Sequence, residues 1–151
     1  MRNIEKHLDE LYNYVEQAHQ INTAVSSVNV GWHIEHSSLV IIKIVESISK
    51  SDPRKYKWKF NLKRSFVFFL NKFPRGKAKA PEIVKPKENE KADFPQLLIQ
   101  TKEALQKLKQ ADPNQYFRHP IFADLNKKNT FIMLDIHTRH HIEIVKDIIR
   151  A

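Results

Sequence analysis

Hydrophobic positions recur at helical spacing through four long stretches of the chain. Ile4, Leu8, Leu11, Val15, Ala18 and Ile21 fall three or four residues apart, which predicts an amphipathic helix from about Asn3 to Ile21 with these side chains inward. From Asn29 to Ser49 the apolar positions (Trp32, Ile34, Leu39 to Ile42, Ile44, Val45, Ile48) surround the axis almost completely. This is predicted to be the most buried helix, ended by Asp52-Pro53. A third stretch has Asp93 as N-cap and Pro95 in its first turn, then Leu97, Leu98, Thr101, Leu105 and Leu108, and closes at Asp112-Pro113. The fourth starts at Asn126, a suitable N-cap, and continues to Ile149.

Four such helices predict an all-α fold, an antiparallel four-helix bundle that forms one domain over residues 1–151. The crossover between the second and third helices, residues 50–92, is too long for a simple hairpin. Within it, Phe60, Phe66, Phe69 and Leu70 suggest an extra short amphipathic helix between Lys59 and Phe73. Pro74, Pro81, Pro86 and Pro95 then mark a Pro/Lys-rich stretch expected to be extended.

Composition changes this picture in two ways. The net charge of +9 is local: from Lys50 to Lys91 fourteen Lys/Arg stand against four Asp/Glu, and twelve against thirteen remain elsewhere. The chain also has no cysteine, so it has neither a thiol nucleophile nor a thiolate ligand of its own. No apolar run approaches the roughly 20 residues of a membrane helix, and Met1–Glu10 is charged throughout. A cytoplasmic protein without a membrane partner is the expectation.

The candidate chemistry lies in the fourth stretch. His137 and His141 sit at i, i+4 within a stripe of Leu134, Ile144, Val145 and Ile148, so both rings should point inward. Two imidazoles on one buried face need partners for their nitrogens, and a metal ion is a common one. A third ligand must come from another helix. The second helix offers His33 and His36, and periodicity does not choose between them. His7 and His19 lie on the first helix, and His119 sits in Arg118-His119-Pro120.

Two stretches resemble the DinB/YfiT-like superfamily. Val28-Asn29-Val30-Gly31-Trp32-His33-Ile34-Glu35-His36, followed by Leu39, is similar to its second-helix signature. His119-Pro120-Ile121-Phe122-Ala123-Asp124-Leu125-Asn126, leading to His137-Thr138-Arg139-His140-His141, resembles the HP-x-F…H-x-x-H-H ending of a branch of uncharacterised function. Arg75 to Pro81 is similar to the connector of that branch. The resemblance implies a four-helix bundle whose three histidines, here His36, His137 and His141, hold a divalent ion. It further implies zinc, nickel or iron activating water or a small-molecule thiol, in a hydrolase or S-transferase, with homodimers among relatives. Val28 replaces an aromatic common in the superfamily, and Ile142, Glu143 and Ile144 stand where many members carry Arg or Gln.

Ordinary roles compete with these. His33 or His19 alone reads as a hydrogen-bonded core residue, His140 as the flank of its helix, and His119 as a residue that orders its loop. Glu35 and Asp135 are candidates for orienting the ligands. A di-iron site would need two Glu-x-x-His repeats, and only Glu16-Gln17-Ala18-His19 fits. HExxH, G-x-S-x-G and Gly-rich phosphate loops are absent. Finally, Arg54 to Arg64 interleaves basic and aromatic residues. This suits a non-catalytic module that binds nucleic acid or another anion, or simply aromatics capping the bundle under solvated lysines.

Overall fold

A computed structural model describes residues 3–76, 80–87 and 92–150 of the chain. Its helices are α1 (Ile4–Tyr12), α2 (Val30–Ser49), α3 (Leu62–Leu70), α4 (Phe94–Gln110) and α5 (Lys127–Arg150). The expected all-α class is therefore observed, with one addition, a short hairpin of β1 (Tyr116–His119) and β2 (Ala123–Asn126). No helix among the described residues is long and apolar enough to cross a membrane.

Four helices start where side chains cap them, α3 among them, with Asn61 accepting from the Arg64 amide at 2.8 Å. Asn29 accepts from the Trp32 amide at 2.8 Å, Asp93 from Gln96 at 3.0 Å and Asn126 from Asn129 at 3.1 Å. Each satisfies an amide that has no partner within its own helix. Helix α2 packs on α4 and α5, and α1 packs on α5 and α4, so the four close a ring of contacts. Leu8, Ile41, Ile48, Leu105, Leu108, Met133 and Leu134 fill its centre. Leu11, Val30, Ile34, Ile142, Val145 and Ile148 form a second cluster beside it.

The first helix is shorter than its periodicity predicts. It ends at Tyr12, a single 3₁₀ turn follows at Val15–Gln17, and the chain then runs irregularly to α2. The reason lies in hydrogen bonding. Ala18 O accepts from the Gly31 amide at 2.8 Å and Gln20 O from Val30 at 3.0 Å, so these carbonyls serve the free end of α2 instead of prolonging α1. A Cβ at position 31 would stand 3.1 Å from Ala18 O, a tight contact that glycine avoids. Ile21, expected inward, is exposed as a result.

The short helix in the crossover forms, but inverted. Arg64 and Val67 face the body, while Phe60, Phe66, Phe69 and Leu70 are exposed. Trp58 is also exposed, so it and Phe60 do not cap the helices, whereas Tyr56 is half-buried with its ring 5.8 Å from that of Tyr116. Of the Pro/Lys-rich stretch, residues 77–79 and 88–91 lie outside the described residues, and the part between them contains a 3₁₀ turn at Glu82–Val84.

In the hairpin, Phe117 pairs with Leu125, both buried, and Arg118 pairs with Asp124 across the strands at 3.0 Å. The Tyr116 amide donates to Ser51 Oγ at 2.9 Å, which anchors the hairpin to the end of α2. Ala123 sits at φ 60°, a left-handed conformation that costs an L-residue about 1–2 kcal/mol. His119 holds this turn together. Its Nδ1 accepts from the amides of Ile121 at 3.1 Å and Phe122 at 3.2 Å, and its ring stacks on Phe122 at 4.4 Å.

Candidate metal centre

The packing of α2 on α5 brings four histidines together. His36 comes from the buried middle of α2, one turn after Trp32, whose ring stacks on it at 4.7 Å. His137 and His141 occupy consecutive turns of α5, a helix held inward by Leu134, Ile142, Val145 and Ile148. His36, His137 and His141 each offer a ring nitrogen, and the three atoms lie within 4.8 Å of one another. His33 is buried beside them, with its ring centroid 5.1 Å from that of His141.

Proton positions follow from the partners. Val84 O, 2.7 Å from His36 Nδ1, can only accept, so the proton sits on Nδ1 and the lone pair on Nε2. His141 Nδ1 is 2.9 Å from His33 Nδ1, and His33 Nε2 is 3.0 Å from Ser26 Oγ. Two arrangements satisfy this chain. In one, His141 Nδ1–H donates to His33, and His33 Nε2–H donates to Ser26. In the other, Ser26 donates to His33, His33 donates to His141, and the proton on His141 Nε2 points at His137. Only the first leaves a lone pair on His141 Nε2, so a cation at that nitrogen selects it.

The residues fit a cation. A tetrahedral zinc site with Zn–N near 2.0–2.1 Å separates its nitrogens by about 3.3–3.4 Å. His137 Nε2 and His141 Nε2 are 3.3 Å apart. Burial holds all three imidazoles below the ordinary histidine range, His137 and His141 well below it. Neighbouring histidines add to the effect at His137 and His141, while the bond to Val84 opposes it at His36. They are therefore neutral at pH 7, the form that ligates. His137 is only half-buried as a residue, yet its Nδ1 is sealed and has no partner among the described residues.

Aromatic rings wall the cluster. Phe73 meets His137 and His140 edge-on, each at 6.1 Å, and stacks on Phe122 at 5.9 Å. With His119 on the other face of Phe122, the His-Pro-x-Phe segment forms a turn and supplies one layer of the wall. His119 thus orders its loop, and burial lowers its pKa to about 4.

The remaining sequence candidates find other places. His33 is a buried, hydrogen-bonded residue outside the triad, and its partner is a triad member. His140 lies on the flank of α5 with its Nδ1 buried, and His19 is exposed, which removes it as a core residue. Asp135 pairs with His7 at 3.0 Å and with Arg139 at 3.5 Å. The residues that steady the triad, Val84 through its carbonyl and His33 with Ser26, were not expected in that role. A backbone carbonyl leaves no trace in residue type, and Ser26 precedes α2 in an irregular segment. Comparison of the chain with protein-family profiles, with curated proteins and with solved structures finds no match.

Proposed function

We propose that this chain is a metal-dependent enzyme of the DinB/YfiT-like type, with His36, His137 and His141 holding a divalent ion. The observation that carries the reading is the convergence of three neutral ring nitrogens within 4.8 Å, from two helices, at the bundle interior. The contact ring of α1, α5, α2 and α4 agrees with the helical arrangement that the resemblance implies.

When bound, zinc, nickel or iron supplies Lewis acidity to water or a thiol, which gives hydrolase or S-transferase chemistry. The chain's own part is to position and to exclude water. His36 is held by Val84 and the face of Trp32, and His141 by the His33–Ser26 pair. Phe73 closes the side next to His137 and His140. A thiol reactant would come from outside the chain, which has no cysteine.

Metal analysis of the purified chain tests the reading. Near-stoichiometric zinc, nickel or iron is expected in the wild type, and none in the His137→Ala/His141→Ala variant with its helical spectrum intact. Metal content that survives this double substitution refutes it.

A further inference from the structure

Helix α3 turns its apolar stripe outward. Leu62, Phe66, Phe69 and Leu70 follow i, i+4, i+7, i+8 and share one face, where Leu62 is 72% and Phe69 86% exposed. Arg64, on the buried face, fastens the preceding segment to the helix. Its Nη2 donates to Lys59 O at 2.6 Å and its guanidinium lies over the Trp58 ring at 5.9 Å. Asn61 Nδ2 donates to Ile121 O at 3.0 Å, which draws the tip of the hairpin alongside. Trp58 and Phe60, in the segment leading into α3, and Ile121 at the hairpin tip are themselves exposed. Isolated exposed apolar residues are ordinary, but a gathered set of this kind marks an interaction site.

The segment that carries this face is basic. No Asp or Glu occurs from Pro53 to Pro81, and Lys57, Lys59 and Lys63 all reach solvent. A second copy of the chain would bring the same lysines, and like charges would oppose the pairing. Single-stranded nucleic acid would find aromatic faces, but Leu62, Leu70 and Ile121 offer no π surface for a base. An anionic bilayer matches every part. Trp, Phe and Leu enter the acyl boundary, lysine stems lie along it, and the ammonium groups reach the headgroups.

We propose that the α3 face, with Trp58, Phe60, Leu62, Phe66 and Phe69, docks on the surface of an anionic lipid bilayer, lying in the interface without crossing it. The face contains no triad residue, so the inference stands apart from the metal reading.

Co-sedimentation of the full chain with vesicles tests it, using phosphatidylcholine alone against phosphatidylcholine containing about one-third phosphatidylglycerol. Binding is expected to the anionic vesicles, to weaken as salt rises and to shift Trp fluorescence to the blue, a shift that Trp58→Phe abolishes. Phe66→Ser/Phe69→Ser should cost at least about tenfold in partitioning, because each ring loses its apolar burial. Both side chains are exposed, so an unchanged circular dichroism spectrum and melting temperature are expected for this variant. Failure to bind anionic vesicles overturns the proposal, as does wild-type binding by the double serine variant. A dimer that the same substitutions dissociate, or single-stranded RNA bound by protein inert to vesicles, assigns the face to another partner and also overturns it.

Discussion

His33 Nδ1 stands 2.9 Å from Nδ1 of His141, a contact between a residue on α2 and one on α5 that fixes which nitrogen of His141 turns toward its neighbours. Outer partners of ligating histidines typically govern metal affinity by about 10–100-fold. His33→Ala is therefore expected to weaken zinc binding by about that factor, measured by competition with a chromophoric chelator. Wild-type affinity in this variant would show that the contact does not orient the ring.

Removal of metal should destabilise the fold. An ion bound only to the native state, at free concentrations near 1,000 times Kd, adds about 4 kcal/mol. Chelator is thus expected to lower the melting temperature of the metal-loaded protein by several degrees or more. The His137→Ala/His141→Ala variant should melt at the same temperature with and without chelator.

Acid should loosen the hairpin turn through His119. Its folded-state pKa of about 4 lies below the ordinary 6.5, so between these values the folded state binds fewer protons than the unfolded state. The stability that neutral His119 contributes is present above pH 6.5 and is lost as the pH falls toward 4. Protonation of Nδ1 also removes the acceptor for the Ile121 and Phe122 amides. In chemical denaturation of metal-free protein, His119→Asn should lose less stability than wild type between pH 7 and pH 4. Equal losses would place the acid sensitivity elsewhere.

Ala123 pays for its left-handed φ of 60° with backbone strain. Glycine carries no such penalty, so Ala123→Gly is expected to stabilise the protein by about 1 kcal/mol, net of the greater freedom glycine gives the unfolded chain. Urea denaturation at neutral pH measures this, and a loss of stability would show that the methyl group is packed to advantage.

Much of the helical framework is legible in the chain because its signals are local. Asn29, Asp93 and Asn126 cap helices from within the first turn, and the four-residue spacing of His137 and His141 places both rings on one side of α5. The histidine that α2 adds to the cluster is a different matter. His33 and His36 are both buried on that helix, and the resemblance, not the periodicity, separates them. What divides their roles is where Val84 and Ser26 arrive, two groups brought in by distant or irregular segments. The hairpin went unread because two four-residue strands carry too short an alternation to stand out beside helical patterns.

The sequence by itself determined the helical class, the starts of α2, α4 and α5, the shared face of His137 and His141, and the concentration of positive charge between α2 and α4. Those properties depend on residues within a turn or two of each other. Tertiary structure decided where α1 stops, which way α3 faces and which partner each imidazole meets. Each of these turns on a competition among distant groups: Ala18 O is claimed by Gly31, α3 is turned by the burial of Arg64 and Val67, and His141 is held by His33. An apolar stripe records that a surface can be buried, but only the packing of the other elements settles whether anything remains to cover it.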